Sequence, residues 1–290
     1  MIKNIVPTIT PLKNNKIDEK GIEQLLTRLS SCIDGIFCLG WTGEFQHFNV
    51  EEKKQVIISY RKALDKTKKA EKIPLYAGIT CNSFEETLEL GNFAQKYADA
   101  AVVLPDMLGT EETKEAASRL KIPVLLYSNP AITGKKLGKK DLGKLLQNKK
   151  ILGVKDSSGS PEQLKSYIEI ARKHKKSILQ GAENLIAPAL MAGASGFVAS
   201  MSNVFPELFA RIKHAYLDEE FARAARYQDE INELRQLYID DVVPILKRAL
   251  ALEGICSDEF RKSSKLSEKE IKSRAAGMRL TFYLLRNYWP

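Results

Sequence analysis

The sequence predicts a (β/α)8 barrel, the TIM architecture, with a C-terminal helical extension. Three features carry this: eight short apolar runs, helical patterns between them, and a wholly helical pattern after about residue 206. Runs of this kind suit strands buried on both faces, as a parallel sheet requires. Eight strand–helix alternations without an interrupting linker favour a closed barrel over an open doubly wound sheet. No glycine-rich dinucleotide turn follows the first run, which counts against the open sheet.

The strand runs fall at residues 5–9, 35–39, 74–77, 100–104, 124–127, 151–155, 177–180 and 196–199. Helix-start signals stand between them. Asn49 precedes Glu52, Ser83 precedes Glu86, and Ser160-Pro161 leads to Gln163, each resembling a capping box or its Asn-led variant. Leu88, Phe93, Ala94 and Tyr97 continue with amphipathic spacing behind Ser83. Further on, residues 220–237, 243–252 and 268–286 read as helices, with Gly254 as a stop. The expected division is a catalytic barrel domain over residues 1–205, then the last barrel helix plus the extension over 206–290. The extension is expected either to cover the barrel or to build an oligomer contact.

Composition removes several classes of function. The 290 residues are 44% hydrophobic and 28% charged, enough for a sizeable core and unlike a disordered chain. No stretch is long and apolar enough for a signal peptide or a membrane span, so a cytoplasmic protein with no membrane partner is expected. Cys32, Cys38, Cys81 and Cys256 are scattered and form no C-x-x-C pair, which predicts reduced, structural thiols. His47, His174 and His214 show no metal-ligand spacing, so neither a metal nor another cofactor is expected. The net charge of +9 is spread over helix-like stretches such as 135–150, where lysines alternate with leucines. Without a basic run interleaved with aromatics, nucleic acid is not an expected partner; a weak pull on anionic substrates is.

In such a barrel the active site lies at the C-terminal ends of the strands. The sixth run, ILGVKD, closes on Lys155. Strand alternation puts Ile151, Gly153 and Lys155 on one face; if Leu152 and Val154 meet the outer helices, Lys155 points into the mouth above a small glycine. A lysine there is partly desolvated, which lowers its pKa and frees the amine to attack a carbonyl carbon. The competing reading is a lysine paired with Asp156. The second run ends in Gly40-Trp41-Thr42-Gly43-Glu44, where glycines around a threonine let N–H groups converge on an anion such as a carboxylate. The competing reading is an ordinary tight turn. The fifth run ends in Tyr127-Ser128-Asn129-Pro130; Tyr127 is either a proton shuttle or a packing aromatic.

Together, G-x-T-G-E after the second run, Tyr-x-x-Pro after the fifth and G-V-K-D in the sixth resemble the dihydrodipicolinate synthase and N-acetylneuraminate lyase superfamily of class I aldolases. The likeness runs from Ile5 to about Glu207 and includes VPTITPL and GAENLIAPALMAGASGFVASMSNVFPEL; LKRALALEGI still looks related. The resemblance implies a homo-oligomer, in this family a tetramer, acting on a keto acid. By the same resemblance Lys155 is the Schiff-base lysine and Tyr127 the proton-transfer residue. Thr42 and the N–H groups around Gly43 hold the substrate carboxylate. Val198 matches a position whose carbonyl lies near the lysine, and Asp156 is a supporting residue.

Departures from the pattern narrow the substrate. Ile132 stands where dihydrodipicolinate synthases usually carry an arginine that grips a second carboxylate. YSNPAITGKKL is closer to the 2-keto-3-deoxygluconate aldolases and N-acetylneuraminate lyases, and VKDS favours the former. Trp41 replaces a hydroxyl residue in the turn and serves as packing or as a sugar-facing aromatic; Pro105-Asp106-Met107 replaces a Pro-Tyr-Tyr stretch, removing a relay tyrosine. With no arginine near Asp106 to meet a phosphate, the expected reaction is cleavage of a nonphosphorylated 2-keto-3-deoxy sugar acid, such as 2-keto-3-deoxygluconate, to pyruvate and an aldehyde. The alternatives are synthase or N-acetylneuraminate lyase activity, or a barrel that binds a keto acid without turning it over.

Overall fold

The structure, a computed structural model, describes residues 2–67 and 72–288. Eight parallel strands close into a barrel in chain order: Lys3–Pro7, Gly35–Cys38, Leu75–Gly78, Ala100–Val103, Val124–Ser128, Ile151–Asp156, Ser177–Gln180 and Gly196–Val198. The first strand pairs with the eighth, Ile5 opposite Val198, and with the second, Ile5 opposite Gly35. Most bounds lie within one or two residues of the sequence expectation. The first strand ends at Pro7, short of the expected Ile9: the Ile9 N–H is taken by Asn203 Oδ1 at 3.1 Å, so the chain has left the ladder there.

The sixth strand corrects the alternation argument. Its register slips at the fifth strand: Ile151 faces Val124, but Gly153 faces Leu125, which leaves Leu152 unpaired and 38% exposed. Leu152 is therefore a bulge residue and does not pack under the outer helices. Gly153 has a role different from making room below the lysine. A Cβ on Gly153 would lie 1.9 Å from the Ser177 carbonyl oxygen, so the missing side chain lets the seventh strand approach. After the bulge the pairing is regular, with Lys155 opposite Tyr127 and Asp156 opposite Ser128.

Helices begin where the caps predicted them. Asn49 forms a full capping box with Glu52 ahead of Val50–Asp65. Ser83 and Ser160 each accept the N–H three residues on, ahead of Phe84–Ala94 and Pro161–Lys173. The Gln163 side chain does not return to its cap; it donates to Asp156 Oδ1 at 3.1 Å. Helix Glu19–Leu29 buries Ile22, Leu25, Leu26 and Leu29 against the barrel wall. Each such side chain contributes roughly 1.5–3 kcal/mol on leaving water.

The C-terminal helices are Phe221–Gln236, Val242–Leu252 and Glu268–Tyr288, and Gly254 follows the second with φ 72°. The segment between the second and third of these helices lies over the barrel rim. Lys247 and Glu44 form a buried ion pair at 2.5 Å, although Glu44 belongs to the turn after the second strand. The other Glu44 oxygen accepts the N–H groups of Arg261 and Lys262 at 2.7 and 3.1 Å. Lys247 Nζ also donates to the Glu259 carbonyl at 2.8 Å. Asp241 accepts from Lys262 Nζ and from Ser264 Oγ at 2.5 and 2.7 Å, so this segment is clamped over the rim from both sides. Among the described residues no helix is long and apolar enough to cross a membrane.

Candidate active site

Lys155 is the penultimate residue of the sixth strand and is 4% exposed. Its Nζ lies 4.0 Å from the centre of the Tyr127 ring and 5.3 Å from that of Phe37, which reaches in from the second strand. Loss of water pushes its pKa down to about 7, against the opposing charge of Glu183. The competing Lys155–Asp156 pair is absent. Asp156 instead accepts from the Ser158 N–H, the Ser158 hydroxyl and the Gln163 amide, each at 3.1 Å.

Gly181, just beyond the seventh strand, was not singled out from the sequence. A Cβ there would stand 2.0 Å from Ser157 Oγ and 2.8 Å from Lys155 Cε. Glu183, two residues on, was also missed. It is buried, one oxygen accepts the Met201 N–H at 2.9 Å, and burial raises its pKa against the attraction of Arg235 and Lys155. The available signal was a carboxylate just after a strand end inside an otherwise apolar segment.

The Tyr127 hydroxyl accepts from Asn129 Nδ2 at 2.7 Å, and burial pushes the phenol up to about 12. The resting tyrosine therefore holds its proton at neutral pH and is first a proton donor. Ser128, next along the strand, points to the opposite face. Its hydroxyl donates to Asp106 Oδ2 at 3.1 Å, and burial pushes Asp106 up to about 6. Asp106 thus supports the strand end from behind, while Met107 is 39% exposed.

In the turn after the second strand, Leu39 and Glu44 take left-handed conformations, with φ 56° and 58°. The Gly43 N–H bonds to the Gly40 carbonyl at 3.0 Å, and that of Glu44 to the Trp41 carbonyl at 3.0 Å. These two N–H groups close the turn, while the Thr42 N–H beside them takes no hydrogen bond among the described residues. Gly43 permits close approach instead: a Cβ would sit 3.0 Å from both Leu39 N and the Thr8 carbonyl. The Thr42 hydroxyl meets Ser200 Oγ at 2.8 Å. Half-buried Trp41 leans toward the C-terminal segment, 5.8 Å from Lys262 Nζ, and borders a small cleft with Glu44, Gln46 and His47. Val198 is buried in the eighth strand, two residues before Ser200.

Lys135 and Lys136 border a separate cavity of about 360 Å3 together with Asp106, Glu112 and Asp141. Among the described residues, no group of three or more His, Cys, Asp or Glu is placed to hold a metal ion.

The sequence profile of the dihydrodipicolinate synthetase family matches residues 2–277. A 4-hydroxy-tetrahydrodipicolinate synthase of Campylobacter jejuni is 30% identical over 278 residues, covering 90% of this chain and 91% of the relative. Among solved structures, YagE, a prophage protein of the dihydrodipicolinic acid synthase family from E. coli K12 in complex with pyruvate, superposes with a TM-score of 0.88. It is 25% identical, over 97% of this chain and 99% of its own. The 4-hydroxy-tetrahydrodipicolinate synthase of Methylacidiphilum fumariolicum SolV gives a TM-score of 0.88 at 26% identity, with both chains covered completely at 100%.

Proposed function

The chain belongs to the dihydrodipicolinate synthetase family, and from that premise we propose that it cleaves a nonphosphorylated 2-keto-3-deoxy sugar acid through a Schiff base on Lys155. As a member of the family it is a pyruvate-dependent lyase of the class I aldolase kind. The observation that carries the proposal is the desolvated Lys155 amine, free of a carboxylate partner among the described residues and 4.0 Å from the Tyr127 ring centre.

With its pKa at about 7, a large fraction of Lys155 is free amine near neutrality and attacks the C2 carbonyl. The resulting carbinolamine loses water as Tyr127, which rests protonated, gives its proton to the departing hydroxyl. This leaves a phenolate beside the new iminium cation. The phenolate takes the C4 hydroxyl proton, the C3–C4 bond breaks, and an aldehyde departs while the iminium receives the electron pair. Protonation and hydrolysis of the enamine release pyruvate and return the amine. Thr42 receives the substrate carboxylate in this reading, and the Asn129 amide steadies the tyrosine oxygen in both its states. The machinery fits turnover better than passive binding of a keto acid.

Two features support the choice of substrate. Ile132, in the turn Pro130–Thr133, offers no charge to a second carboxylate. Lys135 and Lys136 share their cavity with three carboxylates, Asp106, Glu112 and Asp141, which disfavours a phosphate there. Exposed Met107 beside that cavity suits a face covered by another copy, in keeping with a homotetramer. The names of the relatives favour a second reading, 4-hydroxy-tetrahydrodipicolinate synthase activity, assayed as condensation of pyruvate with aspartate semialdehyde. Kinetics on 2-keto-3-deoxygluconate, its 6-phosphate and the pyruvate–semialdehyde pair separate these. The proposal expects the highest kcat/KM on the first; preference for the phosphorylated acid removes the charge argument, and efficient synthase activity replaces the proposal.

A further inference from the structure

The turn after the second strand has one hydroxyl at the mouth, Thr42, and that hydroxyl meets a single described partner, Ser200 Oγ at 2.8 Å. Ser200 arrives from just beyond the eighth strand, so the contact bridges the end of the first strand, which lies between the second and the eighth. The segment holding Ser200 is fixed by its surroundings. Asn203 Nδ2 donates both to the Ser200 carbonyl at 2.7 Å and to the Pro7 carbonyl at 3.0 Å. Glu183 receives the next N–H, that of Met201, at 2.9 Å. A serine whose backbone is held from two sides presents its hydroxyl at a defined place.

Proton direction gives the contact a consequence. Each hydroxyl carries one hydrogen. If Thr42 donates to Ser200, it has only lone pairs to offer a carboxylate, and these repel it. If Ser200 donates to Thr42, the Thr42 hydrogen is free for the anion, and the two bonds polarise each other along one chain. We propose that Ser200 is a positioning residue: by donating to Thr42 across the end of the first strand, it aims the Thr42 hydroxyl at the substrate carboxylate. This rests on the reading above, in which Thr42 receives that carboxylate. Trp41 makes the arrangement necessary, since its ring leans toward Lys262 and brings no hydroxyl to the turn.

The test uses pyruvate and borohydride on the full chain, reading the pyruvate concentration for half-maximal trapping and the maximal trapping rate. Ser200→Ala should raise the half-maximal concentration about three- to tenfold, the range of one hydrogen bond, with the maximal rate nearly unchanged. Ser200→Thr, which keeps the hydroxyl, should restore most of the loss. Thr42→Val should raise it at least as far, and Ser200→Ala added to Thr42→Val should then cost nothing more. If Ser200→Ala does not fold, Ser200→Cys, close in size with a weak donor, takes its place. Full losses that add in the double variant, or no effect of Ser200→Ala beside a clear effect of Thr42→Val, overturn the positioning role and leave the carboxylate reading intact. No effect of Thr42→Val overturns that reading and the inference with it.

Discussion

Replacing Gly181 by alanine tests how tightly the lysine is seated. The new methyl carbon would stand 2.0 Å from Ser157 Oγ, 2.8 Å from Lys155 Cε and 3.1 Å from the Asp156 carbonyl oxygen. The serine hydroxyl is the end of a short side chain and can rotate away. The lysine methylene cannot yield so easily, because Tyr127 and Phe37 stand beside its amine. Ordinary carbon–carbon contact begins at about 3.5 Å, so the methylene must retreat by roughly 0.7 Å and carry the amine with it. Misplacement on the order of 1 Å can cost about a hundredfold in rate, whereas adding one methyl to a packed site costs about 1–3 kcal/mol of stability. Gly181→Ala should therefore lower the borohydride trapping rate and kcat/KM by roughly a hundredfold, with only a modest fall in Tm. Adding Ser157→Ala relieves the shorter clash and should recover stability more than rate. Near-normal trapping in Gly181→Ala would refute the claim that this glycine sets the lysine's position.

Tyr127→Phe should reduce kcat by about a hundredfold to ten-thousandfold, while pyruvate still forms a trappable imine, more slowly; unimpaired cleavage would assign the proton to another group. The acid limb of kcat/KM should lie near pH 7, because the attacking amine titrates there. Glu183→Gln removes the charge that holds this value up, so its limb should move to lower pH; movement to higher pH contradicts the assignment. Lys155 keeps its proton to about 7 when folded but to 10.5 when unfolded, so the unfolded chain binds more protons between these values. Stability from this group should accordingly rise with pH across that window, a slope that chemical denaturation of Lys155→Met should lack. Lys247→Met strands the Glu44 carboxylate in the interior and should cost about 3–5 kcal/mol, read as a lowered denaturation midpoint; an unchanged midpoint would show that the rim clamp adds no stability.

The strands and caps were legible because each is written locally, in a short apolar run or in a polar residue three before its partner. Lys155 and Tyr127 were legible for the same reason, as polar ends of apolar strands that also matched family motifs. The bulge at Leu152 was not, since an extra apolar residue leaves the run unchanged and only the pairing partner exposes it. Glu44 was read as part of a turn, but its role depends on Lys247, far along the chain. Gly181, Glu183 and Ser200 meet groups brought by distant parts of the chain: a lysine methylene, an N–H and a threonine hydroxyl. No periodicity records which strand ends converge, and the sequence likewise did not show that the turn uses the Gly43 N–H to close itself.

In the proposed mechanism one buried amine, that of Lys155, carries the chemistry. Borohydride reduction in the presence of pyruvate, followed by intact mass and peptide mapping, addresses it directly. One reduced pyruvate adduct per chain is expected, on the peptide containing Lys155, and none in Lys155→Met. An adduct on another lysine, or turnover of a keto acid with no adduct at all, would contradict it.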